Sequence, residues 1–358
     1  MTGLNAVSAR QLRGLALALV LGAAGGWLFA EMRMPLPWMI GAMCVTTVAA
    51  LAGAPLAMPS VLRSLMIAVV GTMLGSAFTP ELMGGIVLWA PTLAVLLLYT
   101  VAIVAVVAPI LARAPGFNAP SAFYAAMPGG FSEMVFLGER SGGDERRMSL
   151  IHSVRILVTV FTIPLWFRLF HGYTPGTRSG LGSFAQLGLF DGAILALCAV
   201  VGFFAGRRLR LPAAPLLGPM LISAAAHLSG LTSASPPAEA VNIAQIVLGA
   251  GVGARFVGFE VRKVFGTLVL GAGVTALMLA LAVSAALGLE RLTGIPFAGL
   301  ILAFAPGGIA EMVLISLALG VDTAFVSVHH IARMLFMVAC APLLFRLVEK
   351  RLARISQR

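Results

Sequence analysis

Long apolar runs alternate with short polar segments along the whole chain. A helix needs about 20 apolar residues to cross a hydrocarbon core of about 30 Å, because it rises about 1.5 Å per residue. In the first half, the runs that approach or exceed this length lie near 12–30, 36–53, 60–77, 84–112 and 146–170. In the second half they lie near 187–206, 212–230, 239–256, 264–289 and 322–345. The pattern predicts an all-α polytopic membrane protein with ten spans.

The composition agrees with this prediction. Of the 358 residues, 60% are hydrophobic and 10% are charged, and the mean hydropathy is +1.02. A soluble domain carries about 25% charged residues, and no polar stretch here is long enough to form one. The net charge of +11 comes from basic residues scattered between the apolar runs, which is typical of topology signals rather than of a nucleic-acid-binding surface.

The second half of the chain repeats the first. PGGFSEM at 128–134 matches PGGIAEM at 306–312, and HSVR at 152–155 matches HIAR at 330–333, both at an offset of 178 residues. GTMLGSAF at 71–78 matches GAGVGARF at 249–256 at the same offset. Ordered matches at one offset indicate an internal duplication. The first membrane repeat is predicted at 12–171 and the second at 187–349.

A Pro-Gly-Gly break lies between the fourth and fifth spans of each repeat. Backbone without helical hydrogen bonds is tolerated at membrane depth only where protein buries it or water reaches it. Pro cannot donate, and two glycines allow φ values that bend the chain. The pattern predicts re-entrant helical hairpins at about 119–142 and about 296–320. Each repeat then crosses the membrane five times, so the two repeats are inverted relative to each other.

The 24 Lys and Arg residues favour this inverted 5+5 arrangement. With a cytoplasmic N-terminus, 18 would lie inside, two within spans, and four outside: Arg33, Arg168, Arg178 and Arg291. Parallel repeats would move the basic clusters at 140–147 and 207–210 outside, against the positive-inside rule. We therefore expect residues 1–11 and the basic segment 350–358 in the cytoplasm, and a linker at 172–186 on the opposite side.

The tips of the two hairpins are predicted to meet near the middle of the membrane, because they enter from opposite sides. The second half-helix of each hairpin would present free N–H groups and a partial positive charge. Glu133 and Glu311 lie in its first turn. The carboxylate either stabilises the helix N-terminus by about 0.3–1 kcal/mol, or has a functional role that explains a charge costing several kcal/mol in the bilayer.

The last span of each repeat carries a His and an Arg on one helical face: His152 and Arg155, then His330 and Arg333. An Arg within a span needs a carboxylate or a bound anion. Two interpretations stay open. The glutamates form structural ion pairs with the arginines, Glu133 with Arg155 and Glu311 with Arg333. Alternatively, the arginines share an anionic substrate while the Glu and His residues carry protons.

We therefore place the candidate site at the hairpin tips. The predicted substrate-binding residues are Gly129, Gly130, Phe131, Ser132, Gly307, Gly308, Ile309, Arg155 and Arg333. The predicted proton-coupling residues are Glu133, Glu311, His152 and His330. No metal or other cofactor is expected. The small residues of the third spans, such as Gly71 and Gly249, favour close helix packing, with backbone lining the site as the alternative, and leave a homodimer open.

These residues resemble the AbrB family of Gram-negative bacterial membrane proteins, which has a duplicated hydrophobic region with a PGG, EM and Arg pattern. Two sets carry the resemblance: Pro128, Gly129, Gly130, Glu133, Met134 and Arg155, then Pro306, Gly307, Gly308, Glu311, Met312 and Arg333. The resemblance covers residues 12–349 and implies the bacterial cytoplasmic (inner) membrane, with a periplasmic linker. Family labels include transcriptional regulator and ammonia monooxygenase. The residues offer neither a soluble basic module for DNA nor a cluster of His and carboxylate ligands.

The sequence favours a secondary transporter for a small anionic or zwitterionic solute held between broken helices, with proton coupling as an option. The alternative is a membrane sensor, in keeping with the label of regulation of gene expression, that binds the same ligand without transporting it. An enzyme is not expected, because no nucleophile–base pair or metal set is apparent. The expected partners are the solute and the lipid bilayer, not nucleic acid.

Overall fold

The structure, a computed structural model, describes residues 9–78, 86–170, 172 and 182–357. These residues form helices joined by turns, with no β-strand among them. The first half contains α1 (Ala9–Glu31), α2 (Pro37–Leu51), α3 (Ser60–Ser76), α4 (Ala90–Ala112), α5 (Ala119–Ala126), α6 (Phe131–Arg140) and α7 (Glu145–Phe170). The second half contains α8 (Leu189–Arg208), α9 (Ala214–Leu228), α10 (Ala238–Gly253), α11 (Val261–Thr293), α12 (Phe297–Phe304), α13 (Ile309–Leu319) and α14 (Thr323–Ser356). The all-helical prediction is confirmed.

Six of the described helices are long and apolar enough to cross a membrane: α1, α4, α7, α8, α11 and α14. They indicate a membrane-embedded protein. The helices α2, α3 and α9 have 15, 17 and 15 residues, fewer than the about 20 that a perpendicular crossing requires. Ten spans in two inverted repeats therefore stay a prediction.

Both Pro-Gly-Gly segments interrupt helices where the sequence predicts. The first lies between α5 and α6, and the second between α12 and α13. At the C-terminus, α14 continues to Ser356, beyond the span predicted near 322–345. Its last turns are rich in Leu, Ala, Glu, Lys and Arg, which are strong helix formers. Residues 1–8 and most of the predicted linker, including Arg178, lie outside the described residues.

The chain divides into two compact units. The first comprises Met1–Met73, Phe167–Ser223 and Thr232–Lys263 and contains α1, α2, α8, α10 and most of α3 and α9. The second comprises Leu74–Trp166, Ala224–Leu231 and Val264–Arg358. It contains both hairpins and the two helices that carry the predicted His and Arg residues.

Glycines bring helix backbones close together in the first unit, where α10 packs on α1 and α2. A methyl group at Gly22 of α1 would lie 3.3 Å from Cβ of Ala250 in α10 and 3.4 Å from Cβ of Ala42 in α2. Gly249 of α10 faces the backbone carbonyl of Met39 in α2, where any side chain would collide. Small residues here permit contacts that a Cβ would prevent.

The helix α3 packs on α9 within the same unit. A Cβ at Gly71 would lie 2.5 Å from the carbonyl oxygen of Leu216. About two turns further along α9, the Ser223 hydroxyl donates a 2.8 Å hydrogen bond to the carbonyl of Thr72. The close-packing interpretation of the small residues in the third spans is confirmed at Gly71 and at Gly249.

The second unit packs the helices of both hairpins against α14, which also contacts α4. On the first hairpin, the rings of Phe123 and Tyr124 lie 5.2 and 5.6 Å from the ring of Phe345. Both rings are nearly inaccessible, so the first half-helix is fixed by aromatic packing. The unit thus presents the two hairpin tips to one long helix.

Candidate functional site

The tip of the first hairpin is a short extended segment between two half-helices. The helix α5 ends at Ala126, and Met127 is extended, with φ −72° and ψ 124°. Pro128 follows in a buried position, and α6 begins at Phe131 with Gly130 as its N-cap. The break therefore leaves the C-terminal carbonyls of α5 and the N-terminal N–H groups of α6 without their usual helical partners.

The two glycines of this tip are required for space rather than for a left-handed backbone. Neither has a positive φ, so the additional φ range that glycine allows is not used here. A Cβ at Gly129 would lie 3.0 Å from Cγ and 3.1 Å from Sδ of Met134, and a Cβ at Gly130 would collide with the carboxylate of Glu133. Each glycine thus accommodates one later residue of the motif.

The second tip repeats this arrangement. Ala305 is extended after α12, with φ −55° and ψ 141°. A Cβ at Gly307 would lie 2.6 Å from Cε of Met312, and a Cβ at Gly308 would collide with the carboxylate of Glu311. In both hairpins the Glu therefore folds back over the glycine that caps its own half-helix, where a negative charge is favourable.

Arg155 of α7 reaches the end of the first half-helix. Its side chain is 2% exposed, and Nη1 donates a 2.7 Å hydrogen bond to the carbonyl of Met127. The carbonyl end of a helix carries a partial negative charge, so the guanidinium occupies a favourable position. Nε of Arg155 has no hydrogen-bond partner among the described residues.

Arg333 of α14 occupies the corresponding place in the second hairpin and is bound more extensively. Its side chain is 3% exposed. Nη1 donates to the carbonyl of Ala305 at 2.8 Å, and Nη2 donates to the carbonyl of Gly307 at 3.3 Å. Nη2 also lies 2.8 Å from Nδ1 of His330. This guanidinium holds the whole extended segment of the tip.

The hydrogen bonds of His330 define its protonation. Nε2 lies 2.8 Å from the carbonyl of Leu302, and a carbonyl oxygen only accepts, so Nε2 bears the proton. Nδ1 then accepts from the Arg333 guanidinium. His330 is therefore neutral in this geometry, and both ring nitrogens are used to connect α12 with Arg333.

The ion-pair interpretation of the glutamates is wrong for this conformation. Among the described residues, no salt bridge joins Glu133 or Glu311 to an arginine. In each hairpin the positive group lies at the end of the first half-helix and the carboxylate at the start of the second. Each charge thus faces the helix end of opposite partial charge.

The two tips lie near each other within the second unit. A Cβ at Gly130 would be 3.6 Å from Sδ of Met334, the residue that follows Arg333. Arg155 bonds to a carbonyl of the first tip, and Arg333 bonds to carbonyls of the second. Two buried guanidinium groups thus face one region, with no carboxylate in ion-pair contact with either among the described residues.

The remaining predicted site residues differ in their exposure. His152 is fully buried and its ring lies 5.9 Å from the ring of Phe131. Ser132 is exposed, Ile309 is half-buried, Glu133 is half-buried, and Glu311 is 8% exposed. Binding and proton coupling by these residues stay predictions.

Comparison with protein families identifies the relatives of this chain. Residues 38–349 match the family described as "Transition state regulatory protein AbrB". The chain belongs to the AbrB family. Within the AbrB family it is 24% identical over 326 residues to "Putative regulator AbrB" of Escherichia coli strain K12, with 90% of the chain and 92% of that protein covered. The resemblance inferred from the duplicated motif is confirmed.

A second relative is "Uncharacterized protein YhjN" of Bacillus subtilis strain 168. It is 28% identical over 243 residues, which cover 64% of the chain and 63% of the relative. The chain thus spans less than two thirds of that protein's length. Neither name states a ligand or a reaction, so a function for this AbrB-family chain is inferred from its own residues.

Two polar residues near the second tip, His329 and Tyr99, are not among the site residues predicted from the sequence. His329 has no counterpart in the first half, but it connects α14 with α4 through a 2.9 Å contact to the hydroxyl of Thr92. Tyr99 of α4 donates a 3.2 Å hydrogen bond to the carbonyl of Met278, and its ring lies 5.2 Å from Phe304 at the tip. In the sequence, the signal for these contacts is a single polar residue, Thr92 or Tyr99, within the long apolar run at 84–112.

Proposed function

We propose that the chain is a secondary transporter for a small anionic or zwitterionic solute, which binds between the two hairpin tips. One observation carries the proposal: Arg155 and Arg333 are buried, bond to the carbonyls of two tips that lie near each other, and have no carboxylate in ion-pair contact among the described residues. Helix C-termini offset part of this charge. A bound anion would offset the rest.

The chemistry of the guanidinium group favours a carboxylate or phosphate group on the solute. Its planar set of N–H donors matches two oxygens at once. Arg155 is the better candidate for first contact. Its Nη1 donates to Met127, and its Nε has no hydrogen-bond partner in the part of the chain that the structure describes. Arg333 is already bound to several acceptors, and His330 then acts as a positioning residue for it.

The proposal includes ten spans in two inverted repeats, with both termini in the cytoplasm and the inner membrane as the location. The duplicated sequence, the repeated tip geometry and the distribution of basic residues support it. Single cysteines in a Cys-free background test it. Glu145→Cys, after the first hairpin, should react with impermeant reagents only from the cytoplasm, and Val321→Cys, after the second, only from the periplasm. Labelling of both from one side would contradict the inverted repeats.

Uptake into proteoliposomes tests the transport function. Purified protein should accumulate at least one labelled small carboxylate or phosphate ester from a panel, and Arg155→Gln should abolish uptake while the protein remains folded. Glu133→Gln and Glu311→Gln should abolish dependence on a proton gradient with little loss of stability, if these residues carry protons. Strong loss of expression with the Gln variants would instead favour a purely structural role.

A membrane sensor is the second candidate, because the Escherichia coli relative is named as a regulator. It predicts that the same anion stabilises the purified protein against heat and that Arg155→Gln removes the stabilisation. No uptake would accompany binding. Measuring thermal stabilisation and flux on one preparation separates the two functions.

A further inference from the structure

An apolar groove lies on the second unit, away from the hairpin tips. It runs between the C-terminal halves of α4 and α14, beside Phe123 of α5, and has a volume of about 140 Å³. A cavity needs about 10–15 Å³ to hold one water molecule, so the groove has room for roughly ten groups of about that size. Val104 and Ala108 line one side, and Leu344 and Val348 line the other.

One lining residue is charged. Leu344, Val348 and Arg351 follow one face of α14, because residues separated by three, four or seven positions lie one above another on a helix. The guanidinium of Arg351 therefore continues the line of the apolar wall and is exposed. The groove combines an apolar slot with a cation at one end.

A second cation ends the opposite wall. Arg113 follows the last residue of α4, and its Nη1 donates a 3.1 Å hydrogen bond to the carbonyl of Pro109, which also lines the groove. The helices α4 and α14 thus both place a guanidinium near the C-terminal end of this apolar surface. Neither arginine takes part in the site at the hairpin tips.

We propose that the groove holds an acyl chain of an anionic phospholipid whose phosphate binds Arg351. A soluble phosphate would gain nothing from the apolar slot, and a lipid with a neutral headgroup would gain little from the cation. Under the proposed topology both helix ends face the cytoplasm, where basic residues between spans attract anionic headgroups. The inference does not depend on transport, because the groove and the tips share no residue.

The test uses the full chain purified in a neutral detergent, with phosphatidylglycerol or phosphatidylcholine of identical acyl chains added. Native mass spectrometry counts bound lipid, and the thermal midpoint reports stabilisation. We expect about fivefold stronger retention of phosphatidylglycerol, which Arg351→Gln removes. Arg346→Gln is the matched control, because Arg346 is an exposed cation on the opposite face of α14 and should retain the selectivity.

A second variant tests the slot itself. Ala105 lines the groove and is exposed, so Ala105→Phe should fill it without disturbing the core, and retention of both lipids should fall while Arg351 is intact. Equal retention of the two lipids by the unmodified protein would overturn the proposal. So would equal losses from Arg346→Gln and Arg351→Gln, or stabilisation by inorganic phosphate equal to that by phosphatidylglycerol.

Discussion

The two hairpins share a motif but are held at opposite ends. In the first, Asn118 donates a 2.7 Å hydrogen bond to the carbonyl of Gly142, and the Ser121 hydroxyl accepts one of 2.7 Å from the N–H of Asp144. These bonds connect the start of α5 with the turn after α6. At its tip, Arg155 contributes one bond, to Met127.

In the second hairpin the strongest attachment is at the tip. Arg333 binds the carbonyls of Ala305 and Gly307, and His330 binds the carbonyl of Leu302. Duplicated sequence therefore does not give duplicated rigidity. Under the proposed function, the second tip would therefore form the better-anchored side of the candidate site, and the first tip the side with fewer bonds to its arginine.

The largest expected effect is on stability when either arginine is removed. Arg333→Ala leaves at least two buried carbonyls and Nδ1 of His330 without their donor, whereas Arg155→Ala leaves one carbonyl. Each buried unsatisfied acceptor costs about 1–3 kcal/mol, so with two more such acceptors Arg333→Ala should be the more destabilising by about 2–6 kcal/mol. Chemical denaturation in detergent measures the free energy of unfolding of both variants. Equal losses of stability would contradict the difference between the two hairpins.

The next effect concerns the glycines that accommodate the methionines. Gly307→Ala should lower the free energy of unfolding more than Gly129→Ala does. A Cβ at Gly307 would lie 2.6–2.9 Å from atoms of Met312, whereas a Cβ at Gly129 would lie 3.0–3.3 Å from atoms of Met134. Overpacking of this kind costs about 1–3 kcal/mol. Gly288→Ala is the control, since nothing lies within 4 Å of a Cβ there. A larger loss from Gly129→Ala would contradict the prediction.

A smaller effect is expected at the glycines that face the glutamates. Gly308→Ala should lower the free energy of unfolding more than Gly130→Ala does. Glu311 is only 8% exposed, so its side chain has less room to rotate away than that of the half-buried Glu133. Combining each change with Glu→Ala at 311 or 133 should recover part of the loss, with a coupling of about 0.5–3 kcal/mol. Strict additivity would show that the carboxylate does not cause the strain.

The smallest effect is at the base of the first hairpin. Asn118→Ala removes the N-cap of α5, worth about 1 kcal/mol, together with the bond to Gly142. Hydrogen exchange should rise in 119–140 and not in 297–319. Asp322→Ala removes the comparable cap of α14, whose side chain accepts from the N–H of Phe325, and should leave 119–140 unchanged. A rise in both hairpins with Asn118→Ala would contradict a local attachment.

The placement of the helices could be predicted from the sequence because strong local signals determine it. Apolar runs define the long helices, and Pro128 and Pro306 end half-helices that proline cannot continue. The shared face of His152 and Arg155 follows from their spacing alone. The same reasoning located the hairpins to within a few residues.

The partners of the charged residues could not be predicted in this way. A buried Arg suggests a carboxylate as its partner, but the break also exposes helix carbonyls, and nothing in the spacing shows that Met127 and Ala305 would lie nearer than Glu133 and Glu311. The need for glycine was likewise attributed to φ, when it depends on where Met134 and Glu133 point. Such side-chain directions are set by tertiary packing.

The helix α3 packs on α9, and α10 packs on α1 and α2. The third helix of each half therefore packs on helices of the other half. Under the proposed duplication, a gene cut between the halves would yield two fragments with apolar surfaces that only co-expression could cover. If the repeats are also inverted as proposed, a single-copy relative would need two oppositely inserted molecules to cover the same surfaces.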